Sequence, residues 1–187
     1  MGHVIVLDRG HVGRTGGRPS ARHQHLVEDR LTREYMAYAE DMLTDAGHEV
    51  IIVSDSEYKN RQLRANSYGA EVYIACHVNA GGYDIGSVFH DYRSTRGAAL
   101  AEHIRKPLAD IPIIASTGSA ITISANPNDW TKNAFYVISR CYDLKPTAVC
   151  FEPGFIDTPA HFGLWTPQGL RAIGHALARG ILSYFGE

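Results

Sequence analysis

The sequence is short of several features that would assign it at once. It has three cysteines, an odd number without CxxC spacing, which excludes a disulfide framework and a structural zinc knuckle. No stretch approaches the roughly 18 apolar residues of a membrane span, so no membrane insertion is expected. There is no basic block: 18 Lys and Arg against 20 Asp and Glu give a formal net charge of −2. A nucleic acid would therefore find no electrostatic footprint. No internal repeat and no linker interrupts the chain. The N-terminus enters a strand at residue 3 and leaves no room for a secretory signal peptide, so the chain is expected to be made in the cytoplasm.

What is present is an ordinary soluble profile. The 187 residues are 44% hydrophobic and 20% charged, enough for one domain, 1–187, with a sizeable core. Three segments stand out: His3–His11, Glu71–Ala80 and Ala148–Phe155. Each is a short run rich in Val and Ile that stops at a polar group, His11, His77 or Glu152. Buried parallel strands present functional groups at a carboxyl edge in this way. Two imidazoles and a carboxylate at one edge point to a metal.

The spacing predicts helices over Glu28–Ala46, with Leu31, Tyr35, Tyr38, Ala39, Met42 and Leu43 on one face, and over Glu57–Tyr68, Arg96–Ala109 and Gln168–Phe185. Further strands are predicted at Glu49–Val53, Glu71–Cys76, Ser87–Asp91 and Thr147–Phe151. Alternation of strands and helices implies a single α/β domain of three layers, a mostly parallel twisted sheet flanked by helices. Arg14–His25 and Ile111–Lys132 lack clear periodicity and are read as loops.

A catalytic zinc takes three protein ligands and keeps a fourth position for water. His11 and His77 are candidate ligands. The third should be a nearby carboxylate, and Glu28 opens the helix that follows the first strand. A second carboxylate, off the metal, must take a proton from the water and pass it to the leaving amine; Glu152 is placed for that.

These residues resemble the zinc-dependent N-acetylmuramoyl-L-alanine amidases of the Amidase_3 type. The family's Asp-Pro-Gly-His-Gly-Gly corresponds to Asp8-Arg9-Gly10-His11-Val12-Gly13, and its helix-opening Glu, about nineteen residues before a Gly, to Glu28 and Gly47. Its later Arg, Ala-Asn, Ala-Asp and Ser-Ile-His-Ala-Asn-Ala correspond to Arg61, Ala65-Asn66, Ala70-Glu71 and Ala75–Ala80. Its Val-Glu-Thr-Gly-Phe-Ile-Ser-Asn corresponds to Cys150–Thr158. Arg9, Val12, Thr158 and His161 depart from the pattern, the last where a second Glu often stands, and the segment between Val53 and Arg61 is shorter than usual. None of these departures removes a ligand or the acid/base group.

The resemblance implies hydrolysis of the amide between N-acetylmuramic acid and L-alanine in peptidoglycan. His11, Glu28 and His77 would hold Zn2+, and Glu152 would carry the proton. Asp8, Asn79 and Arg61 are candidates for orienting ligands or touching substrate. With no wall-binding domain and no signal peptide, a monomeric phage or prophage endolysin is expected, reaching the wall through a membrane lesion. A host wall-remodelling amidase is the alternative. Two rivals stand beside it: another zinc hydrolase on the same fold acting on a small N-acylated amino acid, and a wall-binding module without catalysis.

Plainer readings compete at individual positions. Asp29 and Glu34 rival Glu28, because acids in a first helical turn complement the helix dipole. His23 and His25 read as solvated loop residues. No role is assigned to His3, His48, His90, His103 or His175. Asn79 could serve a turn, and Cys76 is a small buried residue. Trp130, Phe135 and Tyr136 line either a substrate groove or the core.

Overall fold

Strands whose every residue is apolar need cover on both faces, and the sheet is built accordingly. A computed structural model describes residues 2–11, 21–54, 58–126 and 136–187. In chain order these form β1 (Val4–Arg9), β2 (Arg22–His23), β3 (Leu26–Val27), α1 (Glu28–Asp45), β4 (Glu49–Val53) and α2 (Tyr58–Ser67). There follow β5 (Val72–Cys76), β6 (Gly86–Asp91), α3 (Thr95–Ala109), α4 (Pro112–Thr117), β7 (Ala120–Ala125) and α5 (Tyr136–Ser139), then β8 (Thr147–Glu152) and α6 (Pro167–Phe185). Short 3₁₀ segments occupy Arg140–Asp143 and Pro159–Trp165.

Among the described residues the main sheet has six strands in the order β4-β1-β5-β8-β6-β7, and β2 pairs with β3 in a small antiparallel hairpin. All neighbours in the main sheet run parallel except β6 and β8. Central β5 and β8 are buried at every position, as a sheet covered on both faces requires. One face packs Ile5, Leu7, Ile74, Val149 and Phe151 against α1, α3 and α6. The other sets Val6, Tyr73, Ala75 and Cys150 against Ala65 of α2 and Ile138 of α5. The three-layer α/β reading holds, with one antiparallel junction.

One expectation needs correction. Within Ile111–Lys132, the described part is ordered into α4 and the edge strand β7. Pro112 starts that helix and Gly118, with φ of +98°, ends it. β7 alternates small polar residues with Ile121 and Ile123 and pairs only with β6, so its apolar signal is weak. Part of the other supposed loop, Ala21–His25, lies in or beside the β2–β3 hairpin.

Candidate active site

The registers Arg9↔Cys76 and Cys76↔Phe151 bring the carboxyl ends of β1, β5 and β8 level and side by side. His11 and His77 stand just beyond them and Glu152 closes β8, as the sequence pattern implies. Gly10 makes the approach possible. Its N–H donates to the Cys76 carbonyl at 3.0 Å, and a Cβ at this position would lie 2.5 Å from Cε1 of His77. His11 then takes a left-handed backbone, φ +58°, which turns its ring toward His77; the two rings meet edge-on with centroids 4.9 Å apart.

α1 contributes the carboxylate. Glu28 is its first residue and is 2% exposed. Its Oε1 lies 3.1 Å from Nδ1 of His77 and accepts the Val78 N–H at 3.0 Å. Its Oε2 accepts the Ala21 N–H at 2.9 Å and lies 3.5 Å from Nε2 of His11. The competing acids are disposed of otherwise: Asp29 pairs with Arg9 at 2.9 Å, and Glu34 faces solvent. Two turns along α1, the buried Tyr35 donates its hydroxyl to the His77 carbonyl at 3.0 Å and fixes the backbone of that residue.

His11, Glu28 and His77 each offer a ligand atom, all within 4.8 Å of one another. Two donors about 2.05 Å from a tetrahedral zinc stand roughly 3.3 Å apart, so the 3.1 and 3.5 Å separations already have the scale of a coordination shell. Two imidazoles and one carboxylate also leave a fourth position open. The donor set fits a catalytic divalent ion.

The electrostatics agree. Burial pushes the Glu28 carboxyl up, but His77, His11 and the Val78 amide outweigh it and hold Glu28 below its usual range. Burial pushes His77 down, yet Glu28, Glu152 and Asp8 raise it above the ordinary imidazole value. The pocket is thus negative enough to favour a positive charge.

Glu152 differs in kind. It is 7% exposed, and its carboxyl is raised to about 7, chiefly by burial and further by the Glu28 charge. His77 and a hydrogen bond from the Asn79 side chain pull the other way. A carboxyl balanced near neutrality can both accept and return a proton.

The remaining candidates lie around this group. Asp8, fully buried, binds Arg61 at 2.7 Å and accepts the Tyr73 hydroxyl; Arg61 also donates to the Arg9 carbonyl at 3.0 Å. The pair therefore braces the end of β1. Asn79 donates its backbone N–H to Gly154, accepts from Ile156 through its carbonyl, and turns its amide toward Glu152. Sequence reasoning missed Tyr35 and Tyr73 as supports of the site, because their hydroxyl partners depend on strand register. The side chains of Trp130, Phe135 and Tyr136 lie outside the described residues.

The N-acetylmuramoyl-L-alanine amidase family, Amidase_3, matches residues 5–183. The chain belongs to this family of amidases. Among solved structures, Cwp6 from Clostridium difficile superposes with a TM-score of 0.77 at 19% identity, covering 98% of this chain and 29% of that one. The N-acetylmuramoyl-L-alanine amidase AmiC2 of Nostoc punctiforme gives 0.77 at 20% identity, covering 99% of this chain and 98% of its own. The catalytic domain of the CD27L endolysin targeting Clostridia Difficile gives 0.72 at 21% identity, with 97% of each chain covered. At such identities the likeness is one of fold. No curated protein sequence matches.

Proposed function

We propose that this amidase is zinc-dependent and cleaves the amide between the lactyl group of N-acetylmuramic acid and L-alanine in peptidoglycan. Family membership supports the substrate, and the His11, Glu28 and His77 cluster beside a raised Glu152 supports the chemistry. That juxtaposition carries the reading. Zinc held by the three ligands would supply Lewis acidity toward the carbonyl and the attacking water. Glu152 takes a proton as the water oxygen joins the carbonyl carbon, and returns it to the alanine nitrogen as the C–N bond breaks. Asn79 keeps Glu152 oriented through this exchange. The Asp8–Arg61 pair and the Tyr35 hydroxyl hold the β1 and β5 ends that present the ligands.

A phage or prophage lytic role, in which one monomer would reach the wall from inside through a membrane lesion, is the biological setting we propose, and a host wall-remodelling amidase is the alternative; one of the similar folds is an endolysin catalytic domain. The decisive experiment digests purified peptidoglycan with the zinc-loaded protein and weighs the products. A free muramoyl lactyl carboxylate with a new L-alanine amino terminus is expected, and a chelator should abolish its formation. Any other new end, or cleavage that survives chelation, would overturn the proposal. A product found only with small N-acylated amino acids would shift the assignment to that substrate class.

A further inference from the structure

His161 lies in the 3₁₀ segment Pro159–Trp165 and is fully buried. Its Nδ1 accepts the Phe155 N–H at 2.9 Å. A ring nitrogen that accepts carries no proton, so the ring is neutral with its hydrogen on Nε2. Nε2 is itself buried and, among the described residues, makes no full hydrogen bond. It faces the Asp84 backbone; burial holds the ring below its ordinary value, and Asp84 only partly offsets this. A buried N–H short of a full partner is costly, and an apolar side chain here would only move that cost to the Phe155 N–H.

The location gives that cost a purpose. The stretch from Glu152 to Thr158 and the stretch from His77 to Asp84 are laced together. Asn79 donates to Gly154 at 3.0 Å and accepts from Ile156 at 2.8 Å. Asp157 accepts from the Gly81 and Gly82 amides, and Thr158 donates to the Tyr83 carbonyl at 2.6 Å. Phe155 sits between the two backbone partners of Asn79, and its own N–H goes to His161. Gly154 completes the fit, since a Cβ there would lie 3.0 Å from the same Nδ1.

We propose that His161 is a positioning residue for the acid/base carboxylate: by accepting from Phe155 it fixes the bridge to Asn79 and so holds the Asn79 amide against Glu152. This rests on Glu152 being the proton carrier.

The test compares His161→Asn, whose Oδ1 can stand near the position of Nδ1, with His161→Leu. His161→Gln reaches the Nε2 side instead and leaves Phe155 unpaired, so it serves if the leucine variant does not fold. His161→Leu and His161→Gln should lower kcat roughly tenfold or more with KM within about threefold. Their zinc content should be unchanged, and His161→Asn should recover most of kcat. Nitrogen NMR should find Nδ1 unprotonated, and exchange of the Phe155 amide should accelerate in the Leu and Gln variants but not in the Asn variant. Protonation on Nδ1, wild-type kcat in the Leu or Gln variant, or equal impairment of all three would overturn the proposal. If the wild type were inert on peptidoglycan, the proposed function would fall. The tautomer and the Phe155 exchange would still decide whether His161 holds this loop.

Discussion

Glu152 is pulled by opposing demands, and both can be measured. With a carboxyl raised to about 7 it must lose its proton to act as a base, and a neighbouring cation pulls its value down. The acid limb of kcat/KM is therefore expected between the ordinary 4.5 and about 7, with activity falling as pH drops through it. Activity held level down to pH 4 would remove Glu152 from the role. Glu152→Gln should cost at least about a hundredfold in turnover while metal content is retained. Stability runs in the opposite sense. A value raised on folding contributes stability below 4.5, and the contribution is lost as pH rises through about 7. Metal-free Glu152→Gln should therefore melt higher than metal-free wild type at pH 8, with the gap closing toward pH 4.5. Glu152, His11 and His77 were legible because an apolar strand that stops at a polar residue marks a sheet edge. Glu28 was legible because a helix start follows the first strand. The buried grip of Asp8 on Tyr73 was not, since it joins residues of two paired strands whose register no local pattern reports.

The elements that hold the site meet through glycine. α6 lies against α1 where Gly174 faces Tyr35, and an added Cβ would come 2.3 Å from the Tyr35 carbonyl oxygen. It lies against α3 where Gly180 faces Ile104, with a Cβ 2.5 Å from the Ile104 Cα. Alanine at either position gains about 1 kcal/mol of helix propensity and loses about 1–3 kcal/mol to forced separation, so crowding wins. The two variants should nevertheless differ. Gly174→Ala pushes on the residue whose hydroxyl holds the His77 carbonyl, and should lower both melting temperature and zinc affinity. Gly180→Ala should lower melting temperature alone. Equal zinc affinity in the two would disconnect α1 packing from the site. These contacts explain what local reading captured and what it lost. α1 and α6 have long apolar faces and appear at nearly their full extent. α4 and β7 are short, and β7 exposes small polar residues along an edge, so the same period search passes over them.

At the scale of the molecule, the three proposed ligands come from separate pieces of chain: the turn after β1, the first residue of α1 and the end of β5. Unfolding scatters them, so a metal that needs all three binds the folded chain and is linked to its stability. At a free zinc concentration of 100 times Kd the linkage is about 2.7 kcal/mol, and for a chain of this size it raises Tm by roughly 5–10 °C. Addition of zinc to chelated protein should produce that rise, and renewed chelation should reverse it. His77→Ala and Glu28→Gln should abolish the shift. Glu152→Gln should keep it whole, because this carboxyl stands beside the cluster without belonging to it. Melting would thus separate the two jobs that activity assays merge: loss of any of the four residues should stop turnover, but only loss of a ligand should uncouple zinc from the fold. A shift that survives His77→Ala would mean that zinc binds elsewhere on the chain, and a shift lost in Glu152→Gln would move that carboxylate onto the metal.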